Sequence, residues 1–106
     1  MVERYRNFIG GKWVDSKSKK TFQSLSPSNF DDIVGEFAAS GPEDVDAAVQ
    51  AAKKAFTGWR KTPAPKRAET IYRAGELLRE RKEEIASEMT REMGKVLKEA
   101  RGDVQE

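Results

Sequence analysis

Few residues in this chain have side chains suited to chemistry, and their types narrow the possible reactions at once. Cysteine and histidine are both absent, which removes thiolate nucleophiles, imidazole bases, disulfides and Cys/His zinc sites. Carboxylates, lysines and hydroxyls remain. Adjacent acids stand at Asp31-Asp32 and Glu83-Glu84. Neighbouring helical positions point about 100° apart, and acids are rarely buried unpaired, so both pairs read as solvated surface rather than as acid and base partners. Glu92-Met93-Gly94-Lys95 contains the Gly-Lys pair of a phosphate-binding loop. The full pattern requires a glycine where Met89 stands and a Ser or Thr where Val96 stands, so that reading is set aside. Gly10-Gly11 is a turn, since Trp13 replaces any further glycine of a dinucleotide fingerprint and no helix follows. Trp13 and Trp59 offer faces for stacking, but Trp59 completes a helical apolar stripe and reads as a packing residue. Asn29 can cap a turn, and Lys95 can hold an anion or simply snorkel.

The elements that would position these residues change character at Ser40. With 106 residues, the chain has the length of one domain and a thin core. Its 37% apolar content is grouped periodically, unlike the sparse scatter of a disordered chain. Before Ser40, Phe8-Ile9, the Gly10-Gly11 turn and Lys12-Trp13-Val14 predict a hairpin. Thr21 to Leu25 predicts a strand, Ser26-Pro27-Ser28-Asn29 a turn and Ile33 to Ala38 a further strand. From Ser40 the period becomes helical. Ser40-Gly41-Pro42-Glu43 reads as a capping box, with Ser40 as the cap and Glu43 closing it. Val45, Ala48, Val49, Ala52, Phe56 and Trp59 then form one stripe. Pro63 and Pro65 break the chain, and Ala68, Ile71, Tyr72, Gly75 and Leu78 line a second helix, with Gly75 suggesting the close approach of another element. A third helical run from about Glu83 carries Ile85, Ala86, Met89, Met93, Val96, Leu97, Ala100 and Val104, with Gly94 either ending it or bending it. Its pattern is still running at Glu106, as expected of a chain that has been cut.

The charge pattern excludes further classes. The 20 basic and 18 acidic groups give a net charge of +2. In the second half almost every cation has an acid within a few positions, which describes a solvated helix surface and not a nucleic-acid footprint. No stretch approaches the length of a membrane span, and the first residues lack the apolar segment of a signal peptide, so no membrane partner and a cytoplasmic location are expected.

Several blocks acquire meaning together. Phe8-Ile9-Gly10-Gly11-Lys12-Trp13-Val14, Ser26-Pro27, Ile33-Val34-Gly35, Glu43 to Val49, Ala51-Ala52, Ala55-Phe56, Trp59, Pro63, Lys66-Arg67-Ala68 and Glu92-Met93-Gly94-Lys95 occur in an order and spacing that resembles the N-terminal portion of the NAD(P)-dependent aldehyde dehydrogenase superfamily. The likeness runs from about residue 6 to residue 106. Ser26 stands where the family commonly has Asn, a departure that bears on turn capping.

The resemblance implies an α+β fragment: short N-terminal strands and a hairpin (residues 1–39) followed by a layer of three amphipathic helices (40–106). Together they would form one incomplete domain, part of the α/β cofactor-binding domain. It implies, for a whole enzyme several times longer, oxidation of an aldehyde to a carboxylate through a cysteine thiohemiacetal, hydride transfer to NAD or NADP, and hydrolysis by a glutamate-activated water. No catalytic or cofactor-binding residue can be assigned in this chain, so it is expected to be non-catalytic and cofactor-free by itself. Some members hold a monovalent cation, and the resemblance places a main-chain carbonyl ligand near Leu25 and an acidic ligand at Glu92. Its expected partners are the remainder of the aldehyde dehydrogenase fold and further copies in a homo-oligomer. An alternative is a free-standing interaction or oligomerisation module built from the same layer. The two diverge at Val49, Phe56, Leu78 and Met93, which a segment of a larger fold leaves exposed and a self-sufficient module covers.

Overall fold

The computed structural model describes every residue from Met1 to Glu106. Five strands precede four helices, so the α+β order expected from the change of period holds. Contacts group the chain into two units that interleave in sequence: Met1–Ser24 with Ile33–Thr62, and Leu25–Asp32 with Pro63–Glu106.

In the first unit, β2 (Asn7–Ile9) and β3 (Lys12–Val14) pair antiparallel with Phe8 opposite Trp13. Gly10 and Gly11 both have positive φ, +60° and +79°, as the favoured two-residue hairpin turn requires. The Phe8 and Trp13 rings lie 4.9 Å apart across the pair. β1 (Arg4–Tyr5) is absent from the sequence reading. It runs parallel to β5 (Asn29–Ala38), with Arg4 opposite Glu36 and Tyr5 opposite Phe37. Two residues are too few to show an alternation. Gly35 makes the pairing possible, because a Cβ there would lie 2.5 Å from Cε2 of Tyr5. With only hydrogen in that space, Tyr5 stacks on Phe37 at 4.9 Å, and Phe22 of β4 (Thr21–Ser26) adds a third ring 5.8 Å from Phe37. The order of this sheet is β1-β5-β4. Residues Pro27 and Ser28 turn β4 into β5, and the hairpin tip from Leu25 to Asp32 belongs to the second unit.

Helix α1 spans Pro42–Trp59, and its start differs from the expected box by one residue. Proline favours the first helical position because it has no N–H to leave unpaired, and this makes Gly41 the cap and Asp44 the third residue. Asp44, not Glu43, reaches back: its Oδ2 accepts the Gly41 N–H at 2.9 Å while Oδ1 accepts the Lys17 N–H at 2.8 Å. Ser40 does not cap the helix. Its hydroxyl accepts a hydrogen bond from Asn7 Nδ2 at 2.7 Å.

The second unit contains α2 (Ala64–Glu80), α3 (Lys82–Met93) and α4 (Leu97–Gln105). Of the two roles open to Gly94, it takes the terminating one. With φ +77° it is left-handed, and its N–H bonds to the Thr90 carbonyl at 2.9 Å. The third helical run is therefore two helices, α3 and α4, which pack together. Ala86 of α3 and Ala100 of α4 are fully buried, and such small side chains let backbones approach closely. Gly75 does not meet the approach expected of it: nothing lies within 4 Å of where its Cβ would be.

Candidate functional site

One carboxylate of each adjacent pair singled out by type is engaged in an ion pair. Asp32 of β5 takes the Arg91 guanidinium of α3, with Nε to Oδ2 at 2.9 Å and Nη2 to Oδ1 at 2.5 Å. That fork holds the Asp32 carboxyl below its ordinary value of 3.8. Glu83 at the start of α3 accepts Arg101 of α4 at 2.9 Å, and the guanidinium lowers its pKa in the same way. Lys95 pairs with Asp103, which raises the pKa of the ammonium group. Asn29 does cap a turn, its Oδ1 accepting the Asp31 N–H at 3.1 Å.

Asp44 and Ser16 went unrecognised in the sequence as buried polar residues. Asp44 is 6% exposed and Ser16 3%. The Gly41 N–H, then the Lys17 N–H, hold the Asp44 carboxyl below its ordinary value. Together they tie the loop after β3 to the start of α1. Proline at position 42 was the available signal, because it fixes which residue is third in the helix.

The two expected cation ligands lie in the same unit, each near a residue that joins α3 to the β4–β5 hairpin. Leu25 is on β4 beside the hairpin turn, and Glu92 is in the last turn of α3. Two contacts join the end of α3 to the β4–β5 hairpin on either side of Glu92. Arg91 grips Asp32, and the Gly94 backbone approaches the turn so closely that a Cβ there would be 3.1 Å from Cγ of Pro27. Nowhere do acidic side chains converge in threes. The donors on offer are one carboxylate with main-chain oxygens, a hard set suited to an alkali ion.

Many large apolar side chains are exposed. Val49 is 43% exposed, Phe56 57%, Leu78 48% and Met93 54%. Ile71, Tyr72, Phe8 and Trp13 are exposed as well. All four side chains that separate the two functional readings are thus open, as a segment of a larger fold requires. No helix is long and apolar enough to cross a membrane.

The sequence itself identifies the family. The Aldehyde dehydrogenase family model matches residues 13–106. The chain belongs to the aldehyde dehydrogenase family, and it carries the N-terminal segment of that fold. It is 46% identical over 103 residues to malonate-semialdehyde dehydrogenase of Halalkalibacterium halodurans, covering 97% of this chain and 21% of that protein. It is 44% identical over 99 residues to alpha-ketoglutaric semialdehyde dehydrogenase of Bacillus subtilis, covering 93% and 20%. Among solved structures, the NAD-dependent aldehyde dehydrogenase from Sinorhizobium meliloti superposes with a TM-score of 0.92 at 32% identity, over 99% of this chain and 21% of that one. 1-Pyrroline-5-carboxylate dehydrogenase from Thermus with bound NAD gives 0.91 at 38% identity, over 98% and 20%. The chain therefore spans about a fifth of the length of the relatives it matches.

Proposed function

We propose that this chain serves as the N-terminal layer of a cytoplasmic, NAD(P)-dependent aldehyde dehydrogenase, as one incomplete domain within a homo-oligomer. In such an enzyme a cysteine thiolate attacks the aldehyde, hydride leaves to the nicotinamide, and an activated water hydrolyses the thioester to the carboxylate. The cysteine must come from outside these 106 residues, which contain none. This segment's own task is to present apolar faces for the rest of the fold to cover. The observation that carries the reading is the exposure of Val49, Phe56, Leu78 and Met93 in a chain whose buried hydrophobic residues are Ala86 and Ala100. The two semialdehyde dehydrogenases it matches favour a semialdehyde as substrate.

A monovalent cation bound by the Leu25 carbonyl and the Glu92 carboxylate belongs to the same proposal. It is supported by the hard oxygen donors and by the contacts of neighbouring residues, Arg91 with Asp32 and Gly94 with Pro27. Such an ion supplies fixed positive charge that ties the hairpin to α3.

The test is complementation. The purified chain should show no NAD(P)-dependent oxidation of malonate semialdehyde. Co-expressed with the Halalkalibacterium halodurans relative lacking its matching segment, it should restore turnover. Turnover by the chain alone, or failure to associate with the truncated relative, overturns the proposal.

A further inference from the structure

We propose that the Arg91–Asp32 pair and the Gly94–Pro27 contact position the cation ligands, setting where Glu92 stands relative to the Leu25 carbonyl. This inference rests on the cation site proposed above. Glu92 is flanked in sequence by the two points at which α3 is fixed to the hairpin. On the helix side these are Arg91 and Gly94. On the hairpin side they are Asp32 on β5 and Pro27 in the turn, two residues after Leu25.

The two fixings differ in kind. The Arg91 guanidinium meets both oxygens of Asp32 in a fork, and this two-point geometry sets orientation as well as distance. Gly94 works by lacking a side chain: its left-handed φ of +77° turns the chain out of α3, and the absence of a Cβ lets the backbone approach Pro27. A carboxylate and a carbonyl from separate elements can share one ion only when both elements are held in register. Around metal ions that task falls to residues that touch the ligand-bearing elements and not the ion. Arg91 and Asp32 are thus positioning residues, and their ion pair, although near the surface, has a role beyond the small stability of an exposed pair.

Sodium-23 NMR titration of the chain at constant ionic strength, with tetramethylammonium replacing sodium, tests this directly. Wild-type chain should broaden the sodium line saturably, and Glu92→Gln should abolish the effect. Asp32→Asn and Arg91→Lys should each weaken sodium binding by about tenfold, the scale at which outer partners act on metal sites. The exchanged pair Asp32→Arg with Arg91→Asp should recover part of the loss. Glu83→Gln, which breaks the pair with Arg101 elsewhere on α3, should leave binding unchanged. Amide exchange at Gly94 reports the clamp without any ion, and it should accelerate in Asp32→Asn. If Glu92→Gln abolishes binding while Asp32→Asn and Arg91→Lys bind as wild type does, the positioning role is wrong and the site stands. If the wild type shows no saturable sodium effect, or Glu92→Gln leaves it intact, the site itself fails and the positioning role falls with it.

Discussion

The two units hold themselves together by different means. The first unit relies on backbone geometry: Gly35 makes room for Tyr5, and a buried Asp44 accepts two backbone N–H groups. The second relies on small side chains between helices, at Ala86 and Ala100, ringed by ion pairs at the surface. Neither closes a core of large side chains; no large side chain is fully buried. The difference shows where each is vulnerable. One should fail through added volume or a lost acceptor beside its backbone, and the other through volume at its alanines, with its ion pairs contributing little.

Substitutions can separate the two. Ala100→Leu should be the most damaging, costing about 1–3 kcal/mol by overpacking α3 against α4. Urea unfolding followed by amide exchange should show the loss in α3 and α4, with β1 and β5 unaffected. Gly35→Ala should produce the mirror image at a similar or slightly smaller cost, exposing the amides of the β1–β5 ladder as Tyr5 is pushed off Phe37. Gly94→Ala is expected to cost about 1–2 kcal/mol from the left-handed conformation, read as faster exchange at the end of α3.

Asp44 gives a smaller effect with a distinctive pH dependence. Its folded carboxyl lies below the ordinary value of 3.8, so its stabilisation is complete above that value and is lost as pH falls through the folded pKa. Protection of the Lys17 amide should therefore collapse in acid. Asp44→Asn should remove roughly five- to tenfold of that protection at neutral pH, as losing a helix cap does, and should flatten the acid limb. The smallest effect should come from Glu83→Gln. The pair with Arg101 is exposed, and its removal should change urea unfolding hardly at all, with half-molar salt acting on the wild type in the same direction.

What could be read from the sequence follows the range of the interaction. The β2–β3 hairpin is written locally in Phe8-Ile9, two glycines and Lys12-Trp13-Val14, and the α1 stripe in spacings from Val45 to Trp59. β1 is not, because two residues carry no period and its partner lies more than thirty positions along the chain, at Glu36 and Phe37. The helix start lies one residue from the expected one because Ser40 and Glu43 satisfy the box pattern, whereas Pro42 shifts the register to Gly41 and Asp44. The Arg91–Asp32 pair spans 59 positions, and no local pattern joins them. The stripes carrying Val49, Phe56, Leu78 and Met93 are legible in the sequence, but whether they are covered is not, because that depends on what the chain packs against; in the structure all four are exposed.

The central claim is that those faces await the rest of an aldehyde dehydrogenase fold, and sedimentation velocity of the purified chain combined with a thermal melt tests it most directly. The account predicts concentration-dependent self-association, relieved by Phe56→Glu with Leu78→Glu, and a broad melt. A monodisperse monomer that unfolds in a single cooperative transition would contradict it.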